Sequence, residues 1–128
     1  MKFREFTLES GTKIFLGKDA KNNDALVKKF KGKRNVILHT SSPGSPFCVL
    51  EKLKPTKKEI NEAGIICASK SQDWRNNKSN VKVDIFTGKD VRKTIFMKTG
   101  SWKLKNKPKI LNVRKKDILK WISVGNKD

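Results

Sequence analysis

Apolar residues recur along the chain in short runs whose period shifts between two and about 3.6, and those shifts set out the elements. Phe6 and Leu8 alternate with polar neighbours over residues 1–9, where Phe3 fits only through a bulge. Ser10-Gly11 turns the chain, and Ile14 and Leu16 share one face of a return strand. Asn22-Asn23-Asp24 has the chemistry of a helix N-cap. Leu26, Val27 and Phe30 then fall on one face, Lys28, Lys29 and Lys31 on the other, and Gly32 stops the run. Val36-Ile37-Leu38-His39 and Phe47-Cys48-Val49-Leu50 are short apolar runs around a loop of hydroxyls, Pro and Gly, the mark of two buried strands. Everything else can be arranged around that pair.

Pro55-Thr56-Lys57-Lys58-Glu59 opens a second helix, because Thr56 and Glu59 have the spacing of a reciprocal capping box. Ile60, Ala63, Gly64, Cys67, Ser71 and Trp74 form one stripe and predict a run to about Trp74. Alternation returns over 81–86, and Thr87-Gly88-Lys89-Asp90 turns the chain into a further strand over 91–96. Strands at Trp102–Lys105 and Ile110–Val113 flank a turn at 106–108, and a short helix follows over 117–122. These elements predict a single α+β domain over 1–128, with a mixed, largely antiparallel sheet, one long helix and one or two short ones.

The 128 residues suffice for a core without disulfides, and 35% of them are hydrophobic. Charge changes the picture more. Thirty-one Lys and Arg against 12 Asp and Glu give a formal net charge of +19. Self-repulsion on that scale calls for a polyanionic partner, and nucleic acid fits best. No apolar run approaches a membrane span, and the first ten residues have no signal-like apolar segment, so a cytoplasmic protein away from membranes is expected. Cys48 and Cys67 match no zinc spacing and read as reduced core residues, so neither metal nor cofactor is expected. Gly11 to Lys18 imitates a phosphate-binding loop, but it has one residue too many between the glycines and Asp19 where Ser or Thr is needed.

Four segments in order resemble one family, the NFACT-R domain. They are Gly17-Lys18 with Asn23-Asp24-x-Leu26; Leu38-His39 with Pro43-Gly44-Ser45; Ala63 with Ala68-Ser69-Lys70-Ser71; and Val81-x-Val83-Asp84 to Thr87, followed by Val91-Arg92-Lys93 and Gly100. The set spans about 11 to 120 and looks closest to the short, free-standing members. It departs at Pro46, where the family usually has His. The resemblance implies an RNA-binding module for structured RNA, tRNA or rRNA, with the large ribosomal subunit as a further partner. The tailing activity of the long members, which carry a tRNA-handling domain and a coiled coil, is not expected.

The candidate nucleic-acid contacts are Lys18, Lys21, His39, Ser45, Lys70, Arg75, Arg92, Lys93 and Lys98. His39 ends a buried strand beside Ser41, Ser42 and Ser45. It can meet a base or a phosphate, or be satisfied by its own loop. Pro43-Gly44-Ser45 serves as turn chemistry or as an anion cradle, and Lys70 and Arg75 as a helix-end complement or as a phosphate clamp. Arg92 suits bidentate phosphate contact. Trp74, Trp102 and Trp121 are core residues or stacking platforms. No catalytic residue is assigned. The rival readings are a DNA-binding or protein-interaction module and, further off, an RNA hydrolase using His39 as general base.

Overall fold

The computed structural model describes residues 1–93 and 97–125. In chain order come strands β1 (Arg4–Thr7) and β2 (Lys13–Leu16), helix α1 (Ala20–Phe30), strands β3 (Val36–Thr40) and β4 (Cys48–Leu50), and helices α2 (Lys57–Ser69) and α3 (Gln72–Asn77). Strands β5 (Val81–Thr87), β6 (Val91–Arg92), β7 (Lys103–Leu104) and β8 (Lys109–Val113) follow, then helix α4 (Lys115–Ser123). Six strands form one antiparallel sheet in the order β1-β2-β4-β3-β5-β8, and β6 pairs with β7 in a separate ribbon. The fold is α+β, as the periodicity predicts.

Side chains alternate across a strand, so each strand feeds two cores. On one face Ile14, Leu16, Leu38, Leu50, Val83 and Val113 pack with Ala63, Ile66 and Cys67 of α2 and Ile118 of α4. On the other, Ile37, Val49 and Phe86 pack with Leu26, Val27 and Phe30 of α1, Phe47 and Val91, with Trp102 and Leu104 set partly buried against them. Strand β4 is covered on both faces, which is why its sequence runs apolar without alternation. Helix α1 does not reach the far end of the second face. There Lys82 and Asn112 are exposed, and Ile110 is 54% exposed. Both cysteines are buried free thiols, and burial pushes Cys67 up to about 12.

Two boundaries differ from the expectation. Asp19, not Asn22-Asn23-Asp24, caps α1, its carboxylate accepting from Asn22 N at 2.8 Å. The asparagines lie inside the helix and are buried because they bond elsewhere: Asn22 to Lys2 O and Lys18 N, Asn23 to Phe47 N. The helix expected to reach Trp74 ends at Ser69. Ser71 accepts from Trp74 N at 3.1 Å and so caps a new helix, while Gln72 N donates to Gly44 O at 2.7 Å. The break turns the chain onto the β3–β4 loop. Of the strand expected over 91–96, β6 covers the first two residues, and 94–96 lie outside the described residues.

The capping box is present: Glu59 N bonds Thr56 Oγ1 at 3.1 Å and Thr56 N bonds Glu59 Oε1 at 2.8 Å. Glu59, 3% exposed, also accepts from Thr12 and Ser10 of the β1–β2 turn and from Lys52. The Thr12 hydroxyl, the Thr56 amide and the Ser10 hydroxyl hold its carboxyl well below the usual carboxylate range. Thr56→Ala should cost about 1 kcal/mol in urea unfolding, the worth of one cap. Glu59→Ala should cost more, because it strands the turn's donors as well as the cap's.

Candidate nucleic-acid interface

His39 is half-buried at the end of β3, on the second face of the sheet, directly across from Asp84 of β5. Its ring lies 4.4 Å from that of Phe47, tilted by 34°. Nδ1 sits 2.7 Å from the Thr40 carbonyl, so it carries the proton and donates. Burial draws His39 below its ordinary 6.5, and the Thr40 and Ser45 backbone and the Asp84 charge only partly oppose this. The ring is therefore neutral near pH 7. As the chain's single histidine it gives an unambiguous NMR titration, whose midpoint should fall below 6.5. A lowered base favours the folded state fully above its unfolded value, and that contribution is lost as pH falls from about 6.5 through the folded midpoint. Asp84 takes its hydrogen bond from Ser41 Oγ at 2.6 Å, not from His39.

Around this pair lies a cavity of about 270 Å³. Its walls come from Gly44 of the β3–β4 loop, Phe47, Phe86 and the stretch Gly100–Trp102. The Gly100–Trp102 wall is fixed by Asp24. Its carboxylate accepts from Gly100 N at 2.8 Å and Trp102 Nε1 at 3.1 Å, and pairs with the Lys93 ammonium. Burial pushes Asp24 upward. The Lys93 and Gly100 hydrogen bonds, the Lys93 charge and the Trp102 hydrogen bond outweigh it and hold the carboxyl below its ordinary 3.8. Gly100 is at φ +85°, where a side chain would be strained, and a Cβ there would also stand 3.0 Å from Ala20. Gly17 and Asn23 brace the opposite side: Gly17 N bonds Phe47 O at 3.1 Å, and a Cβ at Gly17 would fall 1.8 Å from Asn23 Oδ1.

The nine expected contacts divide. Arg75 is exposed and bonds Gln72, the residue that meets Gly44. Lys98 is exposed, and its carbonyl accepts from Ser101 N at 3.0 Å. Arg92 is exposed and directly opposite Lys103 on the ribbon whose inner pair is Val91 and Leu104. Of the nine, His39 alone lines the cavity; Lys98 bonds its lining residue Ser101, Arg92 faces Lys103 between the lining residues Trp102 and Leu104, and Arg75 is linked through Gln72 to Gly44. Lys18 and Lys21 lie exposed at the start of α1 and share no lining residue with the cavity. Ser45 is 9% exposed, and its hydroxyl binds Thr40 N and Pro46 O, bracing the loop. The Lys70 ammonium stands 5.7 Å from the Phe6 ring centroid and 5.4 Å from that of Trp121. Lys93 pairs with Asp24 and stands over Trp102 at 5.0 Å. The nine candidate contacts do not include Ser41, Asp84, Lys82 or Lys103. Asp84 comes to Ser41 and His39 by strand pairing across more than forty residues, for which the chain carries no local signal. A larger cavity of about 710 Å³, between α2 and the β5–β8 edge, includes none of the nine.

The family model of the NFACT protein RNA binding domain matches residues 2–106. The chain belongs to this family. Three of the four NFACT-like segments meet in space: Gly17, Asn23, Asp24, His39, Gly44 and Gly100 all line or brace this cavity. This NFACT chain is 29% identical to the archaeal Rqc2 homolog of Methanocaldococcus jannaschii over 56% of its own length, which is 11% of that protein. Its fold matches the C-terminal part of the fibronectin/fibrinogen-binding protein of Streptococcus suis with a TM-score of 0.80. The two are 24% identical, over 89% of this chain and 45% of that one. The chain thus spans under half of either protein. Among its described residues no helix is long and apolar enough to cross a membrane.

Proposed function

We propose that the chain binds structured RNA, tRNA or rRNA, chiefly through phosphates, as a cytoplasmic, non-enzymatic module in ribosome quality control. The RNA-binding family and the relation to an Rqc2 homolog support the class of partner. One observation carries the mode of binding. Arg92 and Lys103 stand directly opposite each other on a two-stranded ribbon of two residues each, and like charges so placed destabilise the pairing. A bridging anion turns that cost into a gain. Exposed Arg75, Lys82 and Lys98 extend the positive rim, with Lys18 and Lys21 as a second patch. Lys93, Lys70 and Ser45 act through positioning, since each is already engaged within the protein.

Binding of the purified chain to matched tRNA, single-stranded RNA and duplex DNA at 150 mM salt tests the reading. A preference for tRNA, with co-sedimentation on large ribosomal subunits, is the expected result. Equal binding to all three nucleic acids would reduce the surface to a generic polycation, and a duplex-DNA preference would move it to the rival class.

A further inference from the structure

In a chain with 31 Lys and Arg, the His39 cavity is lined by none among the described residues, and its one charged lining side chain is a carboxylate, Asp84. We infer that this cavity takes a single unpaired guanine base, while the phosphates of the same strand lie outside it on the cationic rim. The inference rests on the RNA-binding reading and names what the centre of that surface recognises.

Three observations lead there. The volume, about 270 Å³, falls just under the range of roughly 300–1,000 Å³ for small-molecule sites, so it suits one ring system rather than a whole nucleotide. Aromatic walls are present in His39, Phe47 and Trp102, and unpaired RNA bases bind by stacking on such side chains. The polarity is wrong for phosphate. His39 is neutral near pH 7, and Asp84 would repel an anion.

Asp84 selects among the bases. Its carboxylate has about four acceptor sites, and Ser41 is its one hydrogen-bond donor among the described residues. It forms no ion pair with any of them. A ligand edge with adjacent N–H donors satisfies that capacity. Guanine offers N1–H and the 2-amino group side by side. Adenine and cytosine set an acceptor nitrogen beside their amino group, and uracil flanks its N3–H with two carbonyls, so each would bring a lone pair against the carboxylate. A good bidentate contact of this kind discriminates by about tenfold or more.

The test uses RNA hairpins identical except for one unpaired base, G, inosine, A or U. GMP and AMP are added separately while the His39 imidazole and Trp102 indole NMR signals are followed. The G hairpin should bind about tenfold tighter than A or U, with inosine between because it lacks the 2-amino donor. Asp84→Asn, checked for folding by its unfolding midpoint, should bring G down to the level of A. GMP, but not AMP, should shift both signals. Equal affinity for the four hairpins would overturn the inference and leave RNA binding standing, and so would a G preference that survives Asp84→Asn. Failure to bind any hairpin would overturn the RNA reading itself. In that case a GMP-specific shift assigns the cavity to a free guanine nucleotide, and no shift removes guanine as well.

Discussion

Affinity for RNA should fall about a thousandfold between 50 and 200 mM salt, the loss expected when some six phosphates are neutralised and their counterions released. The slope of log Kd against log salt counts those contacts, so it can be divided residue by residue. Arg92→Ala, Lys98→Ala and Lys103→Ala should each reduce it by roughly one, and the triple variant by about three. Arg92→Lys should keep the charge and most of the slope yet weaken binding, because an ammonium cannot make the bidentate contact of a guanidinium. The ribbon gives a second readout. Replacing either member of the Arg92–Lys103 pair removes a cross-strand repulsion, so these variants should be no less stable than the parent while binding more weakly. Asp84→Asn should leave the slope alone, since it touches a base and not a phosphate. A salt slope near zero would remove phosphate contact as the basis of binding.

Much of the scaffold could be read from local pattern, because local pattern is what builds it. The two apolar runs at 36–39 and 47–50 are central strands, and the Thr56–Glu59 spacing is a capping box closed in both directions. What could not be read depends on partners distant in sequence. The stripe from Ile60 to Trp74 keeps helical spacing through Ser69 and Lys70, yet the helix stops there because Gln72 N meets Gly44 O. Asn23 and Asp24 have cap chemistry, and the same short polar side chains instead bind Phe47 and Gly100 from within α1. Lys70 and Lys93 look like solvent-facing cations in sequence, but their neighbours are aromatic rings and a carboxylate. Asp84 stands in a family-like segment of the sequence, but its place at the site is legible only when β3 and β5 are paired and it stands opposite His39.

Asp24 is where scaffold and site join, and Asp24→Ala should cost about 2–3 kcal/mol, since three charge-assisted hydrogen bonds end on one carboxylate that is only 27% exposed. The loss should be local as well as global. Amide exchange at Gly100 and at the Trp102 indole should rise sharply, while Ile37 and Val49, in the central strands, keep their protection. With that wall released, the cavity loses Trp102, so RNA affinity should fall about tenfold and discrimination among bases should go with it, whereas the salt slope changes little. Lys93→Ala leaves the Gly100 and Trp102 bonds in place and should cost about 1 kcal/mol. The pH dependence has a fixed sign. A carboxyl held below its ordinary 3.8 stabilises the fold fully above that value and loses the contribution as pH falls through the lower, folded-state value. Asp24→Asn should therefore flatten the acid limb of the stability curve below about pH 4 and leave its neutral region parallel to the parent. An Asp24 variant with unchanged exchange at Gly100 and Trp102 would mean that the wall is held by packing against Ala20 rather than by this carboxylate.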